Sequence, residues 1–317
     1  MKHVNILAIL CVLGFCSSGF AEENWEQAEG IHEIDMRAVS ISPFNNGIYA
    51  STGKVLYGSD DQGDSWSVVF SCQGQDNDIN FTGISEKGVF VCAKADVFKS
   101  EDGKSDWRRI FKEDAAHIAF SKDGRIFLGA KKGLFISADN GISWRKDTGE
   151  IGTLNIRWIE LVDDAVFVAA EKGVYKNAEP EWKRIFVTAR GESEYDSDIA
   201  DEDIKAIKPV NSVTTYKNNI FLAADSGIFF SEDQGINWKE FINTGLMSLK
   251  VKKLICKNGL YAATNKGVFV FFEQEKLWKP LYKGMLTKDI RDIAISEDGC
   301  LWAASKIGLY KTKTIIK

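Results

Sequence analysis

The feature that most constrains this chain is the phrase Ser-x-Asp-x-Gly-x-x-Trp, which returns along the sequence. It stands intact three times: as Ser59, Asp61, Gly63, Trp66; as Ser137, Asp139, Gly141, Trp144; and as Ser231, Asp233, Gly235, Trp238. A short Asp side chain accepts hydrogen bonds from nearby backbone N–H groups, Gly supplies the positive φ of a tight turn, and Trp buries a large ring as the next strand begins. Such a turn is rigid without a metal or a disulfide. Weaker copies are SEDGKSDW up to Trp107, with Lys104 where Gly is expected, and the shortened NAEPEW up to Trp182. FFEQEKLW, ending at Trp278, keeps only the Trp.

Upstream of each Trp lies a polar turn, an apolar run, a Gly-containing turn and a second apolar run, as in GRIFLGAKKGLFIS, AVFVAAEKGVYKN, NIFLAADSGIFFS and GLYAATNKGVFVF. Short runs rich in Val, Ile, Phe and Tyr between Gly turns predict antiparallel strands. Because the runs are apolar rather than alternating, each sheet is expected to be buried on both faces, as a propeller blade is between its neighbours. The Trp residues at 66, 107, 144, 182, 238 and 278 are spaced by 41, 37, 38, 56 and 40 residues, a period that suits four-stranded blades. The last unit starts near Ile290 and stops at Lys317, before its own Trp, while Trp25 stands 41 residues ahead of Trp66. The N-terminal strand is therefore expected to close the seventh blade. The predicted fold is an all-β, seven-bladed propeller over residues 22–317 with no open sheet edge.

Residues 1–21 combine Lys2, an apolar run from Ile6 to Phe15 and a small-residue exit at Gly19 and Ala21. This pattern reads as a secretory signal peptide, too short to span as an ordinary transmembrane helix, and Phe15 before Cys16 disfavours a lipid anchor. The protein is expected to be periplasmic or secreted. Removing Lys2 takes the formal charge from −5 to −6, and no long basic stretch remains, which argues against nucleic acid as a partner. Cys72, Cys92, Cys256 and Cys300 allow three pairings; Cys256 with Cys300 is one candidate, and buried thiols are the alternative. The long interval holds an acidic insertion at about 186–211, GESEYDSDIADEDIK, without EF-hand spacing. It reads as a solvated inter-blade loop, with a calcium loop or an acidic docking arm as the functional alternatives.

With strands A to D named outward from the axis, the B to C turns and D to A connections share one face, and the Ser-x-Asp turns lie on the other. The B to C turns carry Lys54, Lys94, Lys131, Lys132, Lys172, Lys266 and Lys306, in six of the seven blades. They form a broken ring of positive charge, or they merely keep exposed hairpins soluble. Arg37, Arg157 and Arg291 occupy equivalent places at the start of strand A in blades one, four and seven, where they could ring the channel mouth and grip an anion. The competing reading pairs them with Asp35, Glu160 and Asp292. Trp158 and Trp302 read as inter-blade packing and His117 as a packed histidine.

The turns at 59–66, 137–144 and 231–238 resemble Asp-box (BNR) repeats, found in sialidases, xyloglucan hydrolases, the sortilin luminal domain and photosystem II assembly factors. Length, a single seven-bladed ring and terminal closure resemble the assembly-factor group. That resemblance implies the fold more than a function, and it carries over no binding residue. A sialidase would need an early Arg-Ile-Pro, which no proline here supplies; three histidines, of which His3 leaves with the leader, furnish no multi-histidine metal site. No Gly-x-Ser-x-Gly stands in the chain. The expectation is a monomeric, non-catalytic scaffold, without cofactor or metal, that binds a protein partner through its Lys/Arg face. The alternative is a glycan-binding or glycan-cleaving propeller using Arg37, Arg157 and Arg291.

Overall fold

The computed structural model describes residues 25–31, 33–162, 164–178, 181–187 and 209–312. Blade one runs Ala38–Ile41, Ile48–Ser51, Val55–Ser59 and Ser67–Ser71, as strands A to D from the axis outward. The same antiparallel order repeats within 79–111, 115–146, 156–187, 210–240 and 251–280. Blade seven supplies Ile290–Ile295, Leu301–Ser305 and Gly308–Thr312, and its outer strand is Trp25–Gln27. The innermost strands touch in cyclic order, and that of blade seven returns to that of blade one. The fold is a closed ring of seven four-stranded blades.

Closure by the first strand follows from its own hydrogen bonds. Trp25 lies opposite Thr312 and Gln27 opposite Tyr310, while the Trp25 indole donates to the Leu281 carbonyl at 2.9 Å and its backbone N–H to Lys283 at 3.0 Å. The strand thus ties blade six to blade seven as well as completing the latter. Double-sided burial explains the continuous apolar runs: Ile48–Ser51, Gly88–Ala93, Ile126–Ala130, Leu260–Thr264 and Leu301–Ser305 are buried along their whole length. Each apolar cluster draws on two consecutive blades. One joins Phe127 and Leu134 to Ile159 and Val168, and another joins Val39 and Ile48 of blade one to Trp302 and Leu309 of blade seven.

The Ser-x-Asp turns form as their chemistry dictates. At the first, Gly63 N–H donates to the Ser59 hydroxyl at 2.8 Å, and Ser65 N–H to Asp61 at 2.9 Å. The turns at 137–144 and 231–238 repeat these bonds. One expectation is corrected: SEDGKSDW is a full turn, with the N–H groups of Lys104 and Ser105 both donating to Asp102 at 2.8 Å and Gly103 N–H to Ser100 at 3.0 Å. Its Gly stands one place early, and positive φ at Gly103 (70°) and Asp106 (49°) restores the path to Trp107. Trp182 and Trp278, which lack the turn, donate instead to the preceding blade, at Asp147 (3.0 Å) and the Ile242 carbonyl (2.7 Å). Trp302 packs edge-on against Trp66 across the blade seven to blade one interface, the inter-blade role expected of it. The four cysteines among the described residues are free thiols, so the considered Cys256 to Cys300 bridge is not formed. The leader lies outside the described residues, as does the acidic insertion except for its flanks, Phe186 and Val187 on one side and Pro209 to Asn211 on the other.

Candidate functional site

Strand A carries a device that no local sequence pattern announces. In blades two to seven the register slips after its first residue, leaving Asn80, Ala116, Arg157, Asn211, Lys252 and Arg291 as bulged positions. Arg37 holds the matching place in blade one, its N–H donating to the Ser51 carbonyl at 2.7 Å. A bulge turns its side chain out of the regular alternation. Four of these residues, Arg37, Asn80, Ala116 and Arg157, line one cavity of about 570 Å³ with Ile79, Lys94, Asp114, Lys131 and Asn155. Blades one to four therefore share a polar, mostly cationic pocket at the channel mouth.

Its two rims differ in electrostatic state. On the first, Asp78 accepts Lys54 at 2.9 Å, Arg37 at 3.0 Å and Lys94 at 3.1 Å. Hydrogen bonds from Lys54, then Arg37 and Lys94, hold its carboxyl well below the ordinary carboxylate range. Arg37 is further fixed by Gly53, where a Cβ would stand 2.6 Å from the guanidinium carbon. On the second rim, Arg157 and Lys131 are exposed and have no carboxylate partner among the described residues. Asp114 is the acid within the cavity, and its carboxylate accepts from Asn80 at 3.3 Å.

The three arginines do not line one cavity, although Arg37 and Arg291 both reach Asp35. Arg37 and Arg157 share the cavity, whereas Arg291 pairs with Asp35 at 2.8 Å and does not line it. Arg291 also holds the Asp35 carboxyl below its usual range. Of the acids weighed as partners, only Asp35 meets an arginine: Glu160 accepts the Trp158 indole at 3.2 Å, and Asp292 takes Lys253 at 2.6 Å. The lysine ring is likewise divided. Lys132 pairs with Glu113 and Lys172 with Glu150, at 3.2 and 3.5 Å, in addition to the two held by Asp78. Lys131, Lys266 and Lys306 have no carboxylate partner among the described residues.

One residue further along strand A, the channel is packed. His117 lies between Phe81 and Trp158 with ring centroids 3.9 and 4.0 Å away, and its Nδ1 accepts from Ile159 N–H at 3.4 Å. Burial drives its pKa well below the usual value, so the imidazole is neutral and packed, as its sequence context suggests. Equivalent side chains in blades five and seven likewise latch each to the next blade: Ser212 accepts from Leu254 N–H at 3.1 Å and Asp292 from Val39 N–H at 2.9 Å. Burial also raises the Glu160 carboxyl to about 7, against the lowering effects of the Trp158 hydrogen bond and Lys253. Among the described residues no group of three or more His, Cys, Asp or Glu is placed to hold a metal.

Comparisons with known proteins bear on the scaffold. No family model matches the chain, and no curated protein matches it. Solved structures do match in shape. The extracellular domain of the putative one component system BT4673 from B. thetaiotaomicron aligns over 92% of this chain and 40% of its own, with TM-score 0.71 and 14% identity. This chain thus spans about two-fifths of that relative's length. A structure of YCF48 bound to D1 peptide aligns over 94% of this chain and 97% of its own, with TM-score 0.68 and 12% identity. A streptogramin B lyase aligns over 92% and 97%, with TM-score 0.70 and 11% identity. Across such distances the likeness is one of fold alone, and what these proteins share with this chain is the seven-bladed propeller.

Proposed function

We propose that this chain is an exported propeller scaffold that binds a protein partner by taking an acidic, extended segment across the channel mouth of blades one to four. The observation that carries the reading is the cationic rim of Arg157 with Lys131, which has no carboxylate partner among the described residues and faces the cations gathered on Asp78 across one cavity. Exposed guanidinium and ammonium groups without a carboxylate of their own are ready to accept one from a partner. A structure of the same fold holds a peptide, YCF48 with a D1 segment. The described residues include no helix long and apolar enough to cross a membrane, and the leader reads as an export signal. No metal or cofactor enters this reading.

The test is fluorescence anisotropy with a panel of labelled peptides, acidic and charge-neutralised, against the wild type and an Arg157→Ala/Lys131→Ala variant. Charged hydrogen bonds contribute about 1.5–3 kcal/mol each, so the variant should bind the acidic peptides at least about tenfold more weakly. Binding should also weaken as salt is added. Equal binding of the neutralised peptides, or an unaffected double variant, defeats the proposal.

A further inference from the structure

Exposed aliphatic side chains are unevenly distributed over the lysine face. Ile34, Met247, Leu249 and Leu286 are 67, 58, 46 and 79% exposed, and all four sit in D to A connections, those entering blades one, six and seven. The connections entering blades two, three and four expose no large apolar side chain; on that side of the face only Val187, the last residue of blade four's outer strand, is exposed among the described residues, at 45%. The face is thus split between a cationic cavity on one side and an apolar sector on the other.

The loops of this sector are linked to one another. Tyr282 donates to Met247 Sδ at 3.5 Å and covers Gly267, where a Cβ would stand 2.4 Å from its ring, so the connections on either side of blade six meet over its B to C turn. Lys288 lies 4.3 Å from the same ring, two residues beyond Leu286. Arg291 then reaches Asp35, beside Ile34, at 2.8 Å. Around these tips Lys250, Lys266 and Lys306 are exposed, with no carboxylate in ion-pair distance among the described residues. The acids nearby are Asp35, already taken by Arg291 and Arg37, and Asp225, which pairs with Lys252 at 3.4 Å and also feels the charge of Lys250, with Glu33 and Asp289 in the connections themselves.

We propose that this sector docks on an anionic lipid bilayer, with the aliphatic loop tips entering the interface and the lysines meeting phosphate headgroups. Two features favour lipid over a protein partner. Protein interfaces are depleted of lysine and anchored by clustered Trp, Tyr and Arg in pockets. Here the apolar groups are aliphatic, stand on separate loop tips and alternate with lysines, the combination that suits an anionic membrane surface. The inference does not depend on the peptide reading, because the two sites use different residues. It adds an orientation: docked this way, the channel mouth faces the membrane, within reach of a segment emerging from it.

The experiment is co-sedimentation of the mature protein with phosphatidylcholine vesicles, with and without phosphatidylglycerol. The protein should partition onto the anionic vesicles, less so as salt rises. A Met247→Ser/Leu249→Ser/Leu286→Ser variant should lose about tenfold or more of that partitioning, since each substitution removes a partly inserted apolar group. The control is Ile142→Ser/Ile236→Ser, two residues 82 and 76% exposed on the opposite face, which should partition like the wild type. All these positions are exposed, so melting temperatures should stay together and folding is checked in the same samples. Failure to bind anionic vesicles, equal binding to neutral ones, an unaffected triple variant or an equal loss in the control each overturns the proposal. So does crosslinking of the loop tips to a protein by a chain that ignores vesicles.

Discussion

Asp78→Asn separates stability from binding at the candidate site. The substitution keeps the side-chain shape and removes the charge that gathers Lys54, Arg37 and Lys94 at 2.9, 3.0 and 3.1 Å. The three cations are 36–48% exposed, so each pair is partly screened and contributes about 0.2–1 kcal/mol. Their sum is roughly 1–2 kcal/mol, which lowers the melting temperature by about 2–5 °C. At the same time the cavity rim gains one unit of positive charge, and Arg37 and Lys94 are released toward it. Acidic peptides should then bind roughly three- to tenfold more tightly at low salt, an advantage that salt removes. Because the folded carboxyl is held below its unfolded value, its contribution is complete above about pH 5 and is lost as pH falls through the folded value. The gap in melting temperature between wild type and variant should therefore hold near neutrality and close only in strong acid. Thermal melts and peptide anisotropy on the same two proteins decide the matter. An unchanged melting temperature together with unchanged or weaker binding would refute the view that Asp78 holds these cations in reserve.

Three further outcomes follow from the geometry. Trp25→Ala removes a buried indole and its bond to Leu281, and should cost about 3–5 kcal/mol by urea denaturation; a loss under 1 kcal/mol would show that the first strand does not hold the ring closed. Gly63→Ala puts a Cβ 2.2 Å from the Trp302 ring at φ 87° and should cost more than the backbone strain alone, whereas Gly74→Ala, at φ 90° with nothing within 4 Å, should show only that strain. Equal losses in the two variants would remove Trp302 from the argument. For Glu160, held near 7 when folded against 4.5 unfolded, the native chain keeps a proton that the unfolded chain releases. Stability should fall as pH rises through that window, and Glu160→Gln should abolish this slope in urea melts compared at successive pH values; parallel wild-type and variant curves would count against it.

The ring itself was legible in the residues because its determinants are local and periodic. A Trp every forty or so residues, short apolar runs and Gly turns specify strands, and strands buried on both faces specify blades. The missing last strand and the early Trp25 specified the closure, since an unpaired blade edge must find a partner. The placement of lysines and arginines on one face followed from antiparallel alternation alone. Which of those cations is free did not. That depends on Asp78, which stands 41 residues from Arg37 and meets it only because consecutive blades bring their inner ends together. The bulge that aims Arg157 into the cavity, the divergence of Arg291 toward Asp35 and the apolar sector formed by three connections likewise arise between blades. Sequence repeats record what each blade needs for itself; charge pairing and surface patches are set by distances between blades, and those exist only once the ring has closed.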